Sequence, residues 1–311
     1  MVGSSMVDLV IRVPRLPLAA ETLTGSDFKI GFGGKGSNQA VMAARLGAEV
    51  SVVVKLGRDV FGEQTLDNYQ AQGIATGHVG FVDGVSSGVA PITVDEATGQ
   101  NIVLIVPGAN ERLSAQDVQA AEDVISSAAV LICQLEVPVA TTQAAFALAR
   151  ERGVTTLLNP APAAELPEAL LDLTDVLVPN EVEAAQLSGL TVTNASEAEA
   201  AARALKAKGP KQVVVTLGKL GALVLDDEAT FIEAQTVKAV DTTGAGDAFV
   251  GSLAYFLGAG FDLVAASRRA SAVATLSVQR EGTQTSFPYA EDVTPHLESL
   301  GLGSSESGGA A

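Results

Sequence analysis

From Val50 onward, short runs of β-branched and other apolar residues alternate with alanine-rich stretches of helical period. The runs "VSVVVKLG", "AAVLICQLE", "VTTLLNPAP", "DVLVPN" and "KQVVVTLG" are nearly all apolar, so each predicts a strand buried on both faces. Between them, "TTQAAFALARERG" and "EAEAAARALKAKG" close on a basic residue and a glycine, as helices do. Apolar strands joined by helices predict an α/β fold: a doubly wound, mostly parallel sheet with helices on both faces. Ligands of such sheets bind beyond the carboxyl ends of the strands, where each run here passes into a small, polar or proline-containing loop.

Two segments break the rhythm. "VDLVIRVPRLPLAAETLTGSDFKIGF" and "SSGVAPITVDEATGQNIVLIVPG" read as strands and turns without a helix, the second as a hairpin around "DEATGQ". They predict a small β-sheet lid over residues 8–31 and 86–106. Residues 1–7, 32–85 and 107–301 are left as the α/β core. The Gly/Ser-rich residues 302–311 are expected to form a disordered tail.

Chemistry concentrates in "AVDTTGAGDAFVGSLAYFLGAG". Phe249, Leu253, Phe256 and Leu257 follow helical spacing, so a glycine turn delivers the chain into an amphipathic helix with Asp247 in its first turn. The helix dipole alone favours a carboxylate there. Yet the preceding Gly244, Ala245 and Gly246 offer backbone N–H groups that can stabilise developing negative charge. Phosphoryl transfer to an alcohol needs that anion hole and a carboxylate to take the hydroxyl proton, which makes Asp247 the candidate general base.

Other motifs carry two readings each. "GFGGKGSNQAVMAARLGAEV" contains G-x-G-x-x-G, but it follows a lid-like strand and lacks the distal acid of a dinucleotide site. Lys35 is followed by Gly36, so it is no Walker A loop either. What remains is a glycine turn presenting Lys35 and Asn38, either a ligand surface or a tight turn onto a packed helix. In "VPNEVEAA", Asn180 and Glu183 have capping-box spacing; equally, they suit a hydrated Mg²⁺ beside phosphates. Thr216, Gly218 and Gly221 in "VTLGKLGA" form a plain turn or a backbone surface for a nucleotide.

Composition narrows the classes. A formal net charge of −17 argues against a nucleic-acid-binding surface and suits a soluble cytoplasmic protein. A single cysteine, Cys133 in a strand-like run, excludes an internal disulfide and points to a reducing compartment. No apolar run is long enough for a bilayer, and the start lacks a secretory pattern, so no membrane partner is expected. The two histidines, His78 in a loop-like stretch and His296 after a proline, make a Ser-His-Asp or His-ligated zinc enzyme a poor fit.

"GGKGSNQAVMAARLGA" and "DTTGAGDAFVGSL" together resemble the paired signatures of the PfkB-type carbohydrate kinases. "GSSMVD", "QLEVP", "LNPAPA", "VPNEVEA", "VTLGKLGA" and "REGTQTSFP" follow in the family's order, so the likeness covers nearly the whole chain. The resemblance implies ATP-dependent phosphorylation of the 5-hydroxyl of ribose, with Mg²⁺ required, K⁺ activating, and a homodimer through the lids. Alternatives are another sugar of the family, such as fructose or 2-deoxyribose, or a silent sugar- or nucleotide-binding protein. By the same resemblance Asp247 is the base, with Gly244, Ala245 and Gly246 as the anion hole. Asp8, Gly34, Lys35, Gly36, Asn38 and Glu136 hold the sugar. Asn180, Thr216, Gly218, Gly221, Gly246 and Ser271 contact the nucleotide, and Glu183 acts through hydrated Mg²⁺. Asp241, Thr243, Ser277, Arg280, Gly282 and Ser286 surround K⁺.

Two departures stand out. Met6 replaces an asparagine that touches the sugar in many relatives. The family also has an apolar strand before "GSS", where only Met1 and Val2 precede Gly3 here. The core strand is therefore expected either to begin upstream of this sequence or to be missing. Its loss would cost roughly 1–3 kcal/mol for each buried backbone group left unpaired.

Overall fold

In strands β7 (Val130–Cys133), β8 (Thr155–Leu158), β9 (Val176–Leu177) and β10 (Gln212–Thr216), neighbouring residues turn to opposite sides of one sheet. Ile132, Leu157, Val176 and Val214 pack on one side against helices Lys35–Arg45, Ala245–Gly258 and Leu263–Ser277. Leu131, Leu158, Leu177 and Val213 pack on the other against helices Val139–Glu151 and Ala195–Lys206. Two apolar clusters separated by a sheet are the doubly covered α/β architecture read from the sequence. The computed structural model describes residues 1–303.

Strands β7 to β10 pair in parallel. The edge beyond β10 departs from expectation: β11 (Gly221–Leu225) and β12 (Ala229–Glu233) add antiparallel. The connection over residues 226–228 is too short for a crossover helix, so only a hairpin can form. Beyond β7 lies the parallel pair β3 (Ser51–Gly57) and β4 (Ala75–Val82). His78 therefore sits in a strand and not in a loop. The glycines at 77 and 80 mask the strand pattern, and pairing with β3 overrides them.

Between β7 and β3 lie Met1–Gly3. The Val2 N–H donates to the Ile132 carbonyl at 3.1 Å, the Gly3 N–H to Val53 at 3.3 Å, and the Val53 N–H to Met1 at 2.9 Å. The position where the sequence pattern anticipates a missing strand thus has ladder bonds to both neighbours.

The separate four-stranded sheet has the order β2-β1-β5-β6, from β1 (Met6–Val13), β2 (Asp27–Gly33), β5 (Gly88–Asp95) and β6 (Asn101–Val103). The hairpin read around "DEATGQ" is present, with Ile92 opposite Val103. The period of two sends Asp8 to one face of β1 and Leu9 and Ile11 to the other.

Two residues assigned to the tail are held in place: Leu302 packs on the core, and the Gly303 carbonyl accepts from Arg269 at 3.2 Å. The rest of that segment, residues 304–311, lies outside the described residues. Cys133 is fully buried, and burial pushes its thiol up to about 12. Among the described residues no helix is long and apolar enough to cross a membrane.

Candidate active site

The helix Ala245–Gly258 starts from Gly244, whose φ of 77° is left-handed and whose missing Cβ would lie 2.7 Å from Thr283 Cγ2. Only glycine fits this turn without strain. Asp241 fixes the approach: its Oδ1 accepts from the Thr243 N–H at 2.9 Å and hydroxyl at 2.7 Å, and its Oδ2 accepts from the Gly282 N–H at 2.9 Å. The Ala245 N–H donates to Thr242 at 3.2 Å, so it is not free for an anion. Those of Gly244, Gly246 and Asp247 have no acceptor among the described residues. An anion-stabilising helix end remains, carried by residues 244, 246 and 247.

Asp247 is buried, yet both its oxygens are engaged. Asn38 Nδ2 donates to Oδ2 at 2.8 Å and Gln39 Nε2 to Oδ1 at 2.9 Å. These donors come from the first turns of helix Lys35–Arg45, whose own start is bound to a neighbouring acid. Glu136 Oε2 accepts from the Lys35 N–H at 2.8 Å and the Ser4 hydroxyl at 2.5 Å. The Gly36 N–H then donates to Ser4 Oγ at 3.2 Å and the Ser37 N–H to the Ser4 carbonyl at 2.8 Å. Gly34 and Met6 meet at the same junction: a Cβ on Gly34 would lie 2.7 Å from the Met6 nitrogen.

Charge is concentrated here. Burial, with help from Glu136 and Asp247, pushes the Asp8 carboxyl up to about 7. Burial also raises Glu136 and Glu183, with Asp247 adding to both. For Lys35 burial pulls the ammonium down, but Asp247, Glu136 and Glu183 outweigh it, leaving its pKa above the usual lysine value. One cation thus serves a cluster of carboxylates.

Lys35, Asn180, Glu183, Thr216, Gly244, Gly246 and Asp247 line a common cleft of about 200 Å³, together with Asn159, Ala161, Val178 and Val250. Asn180 and Glu183 do form the capping box: the Glu183 N–H donates to Asn180 Oδ1 at 2.8 Å and the Asn180 N–H to Glu183 Oε2 at 2.9 Å. Glu183 Oε1 has no protein partner among the described residues. Gly218 opens a short turn beside Thr216, and Gly221 begins β11. Ser271 does not line this cleft; it lies in helix Leu263–Ser277, where its carbonyl accepts from Thr275.

Of the residues assigned to K⁺, Asp241, Thr243 and Gly282 meet directly, as described. The side chains of Ser277 and Ser286 bond to the carbonyls of Ala274 and Thr283, and Arg280 pairs with Asp292 at 3.1 Å. Their side chains are therefore committed elsewhere, and their backbone carbonyls are what they can offer a cation. Among the described residues no three His, Cys, Asp or Glu are grouped so that they could hold a metal ion between them. The donor set fits a divalent ion held through water by Glu183, since Mg²⁺ retains waters and needs few protein ligands.

The sequence reading missed Gln39, Asn159 and Gln284, all buried in this site. Gln39 follows Asn38 directly in "KGSNQA", and a polar pair opening an otherwise apolar helix was the available signal.

Residues 1–290 match the pfkB family carbohydrate kinase profile, and the chain belongs to that family. It is 44% identical over 298 residues to the ribokinase of Mus musculus, covering 94% of this chain and 92% of that protein. It is 41% identical over 298 residues to the deoxyribokinase of Salmonella typhi, covering 95% and 97%. The structure of Arabidopsis thaliana ribokinase complexed with ribose and ATP superposes with a TM-score of 0.88 at 29% identity, covering 96% of this chain and 97% of that one.

Proposed function

We propose that this chain transfers the γ-phosphoryl group of ATP to the 5-hydroxyl of D-ribose. The observation that carries this reading is Asp247: a buried carboxylate held on both oxygens, in the first turn of a helix whose Gly246 and Asp247 N–H groups have no acceptor among the described residues. In the proposed reaction Asp247 takes the proton of the 5-hydroxyl as that oxygen bonds to the γ-phosphorus. The bond from phosphorus to the β–γ bridging oxygen breaks, and ADP leaves. The free N–H groups stabilise the charge on the phosphoryl oxygens.

Asp8, Lys35, Asn38 and Glu136, with Met6, Gly34 and Gly36 shaping the turn, are assigned to the sugar. Asn180, Thr216, Gly218, Gly221, Gly246 and Ser271 are assigned to the nucleotide. Glu183 would hold a water-coordinated Mg²⁺, which neutralises phosphate charge when bound with ATP. Asp241, Thr243, Ser277, Arg280, Gly282 and Ser286 are assigned to K⁺, mainly through carbonyls. The cytoplasm is assigned as its compartment, which the net charge of −17 and the single cysteine suit.

The small sheet is assigned as a lid and dimer surface. Ile11 lies opposite Phe28, and Leu9 opposite Ile30, so these residues share a face, on which Ile11, Phe28 and Ile30 are exposed. A second copy would cover it.

One observation favours 2-deoxyribose as a second acceptor. Met6, buried two residues before Asp8, has no hydrogen-bonding group to offer a sugar hydroxyl, and a relative 41% identical is a deoxyribokinase. ADP production from Mg²⁺-ATP with a panel of ribose, 2-deoxyribose and fructose, with and without K⁺, tests the reading. Ribose-dependent turnover supports it; no turnover with any sugar in a folded sample overturns it.

A further inference from the structure

Asp247 is not held by isolated contacts. Gln39 is fully buried and its amide is saturated: Nε2 donates to Asp247 Oδ1 at 2.9 Å and to Asn159 Oδ1 at 3.0 Å, while Oε1 accepts from Gln134 Nε2 at 2.6 Å. Reversing the amide would set like against like at all three contacts, so its orientation is fixed by its partners. Asn159 is anchored in turn, donating to the Val178 carbonyl at 2.8 Å. On the other oxygen, Asn38 Oδ1 accepts from Gln284 Nε2 at 3.0 Å, and Gln284 Oε1 accepts from Asn68 Nδ2 at 3.0 Å.

We propose that Gln39 is a positioning residue for Asp247, fixing the plane of the carboxylate so that its remaining lone pairs face the cleft. The inference rests on the reading of Asp247 as the base. Gln39 does not line the cleft and is wholly inaccessible, so it reaches substrate only through Asp247 and Asn159, and the Val178 carbonyl already anchors Asn159. The chemistry of the support suits a base. A lysine or arginine at position 39 would orient the carboxylate equally well but would stabilise its ionised form and weaken it as a proton acceptor. Amides orient with smaller electrostatic bias, and here two of them grip one oxygen each. Misplacing a reacting group by about 1 Å can cost about a hundredfold in rate, so an orienting contact of this kind has a measurable catalytic consequence.

The test uses the full chain with whichever sugar the wild type phosphorylates. Gln39→Met is expected to lower kcat about tenfold to a hundredfold, with KM for sugar and ATP held within about threefold. Because Gln39→Met strands the amide of Gln134 and the carbonyl of Asn159, it can also cost stability. Gln39→Glu provides the second readout. Two carboxyls at hydrogen-bond distance share one proton, so the acidic limb of kcat should move up by at least about one pH unit. A folded Gln39→Met with wild-type kcat overturns the proposal, as does a Gln39→Glu enzyme with an unmoved acidic limb. Should both variants fail to fold, Gln134→Met, one bond further from the carboxylate, must still lower kcat by about twofold or more at constant KM, or the proposal fails. A wild type that turns over no sugar refutes instead the reading of Asp247 as a kinase base, so the two failures are distinguishable.

Discussion

Asn38 donates its side-chain amide to Asp247 at 2.8 Å although the two residues stand 209 positions apart in the chain. This contact ties the helix that follows the glycine turn to the helix that follows the anion hole. The residues proposed for the sugar at one helix start are thereby tied to the proposed base at the other.

Gly33, opposite Met6 in the β1–β2 pair, faces the Asp8 carboxylate. A Cβ at this position would stand 2.4 Å from Asp8 Oδ1, so Gly33→Ala must displace that carboxylate. With Asp8 assigned to the sugar, Gly33→Ala should raise sugar KM about tenfold or more while kcat changes far less. Steady-state kinetics at saturating ATP checks this.

Gly33 and Gly244 differ in what they protect. Gly244→Ala would force a left-handed alanine with φ near 77° at the start of the Asp247 helix, against Thr283 and Phe287. The strain is worth about 1–3 kcal/mol and should appear as a lower melting midpoint together with reduced kcat.

Asp8 should also set a pH dependence. Its folded carboxyl titrates near 7 against an ordinary value of 3.8, so between those values the folded chain keeps a proton that the unfolded chain releases. Its contribution to stability is full below the ordinary value and is lost as pH rises through about 7. Sugar binding should respond oppositely, because the ionised carboxylate is the better acceptor for a hydroxyl: KM should fall as pH rises through this window. Asp8→Asn should flatten both trends, as followed by melting and by sugar KM across pH.

Asp241 holds Thr243 and Gly282 together through its two oxygens. If these loops make the cation site, Asp241→Ala should abolish the rise in rate with K⁺ while leaving Gln39 and Asn38 bound to Asp247. Turnover measured against K⁺ concentration, with Na⁺ as the control, decides it.

The layered core was legible because short unbroken apolar runs between helical stretches are a strong signal of strands covered on both faces: in "VVV" of β10, Val213 and Val215 face one cluster and Val214 the other. Asp247 was legible because glycines and a helical stripe frame it. The capping box at Asn180 and Glu183 was legible too, though its geometry is compatible with either role assigned to those residues. Gln39, Gln134, Asn159 and Gln284 were not legible as a network, because an inward-facing amide has no period and its partners lie far away in sequence. Met1–Gly3 are too few to show alternation, and only their bonds to Ile132 and Val53 mark them as part of the sheet. The antiparallel turn into β12 was missed because "LDDEAT" reads as a polar loop, whereas the strands on both sides pair residue by residue from Gly221–Glu233 to Leu225–Ala229.

The central claim is that Asp247 takes the proton from the sugar hydroxyl, and Asp247→Asn tests it most directly. The amide keeps the size of the side chain while removing its basicity. Calorimetry should show that the variant still binds ribose and Mg²⁺-ATP, while single-turnover phosphorylation falls by at least about a hundredfold. A folded, ligand-binding Asp247→Asn that phosphorylates ribose at the wild-type rate would contradict the account.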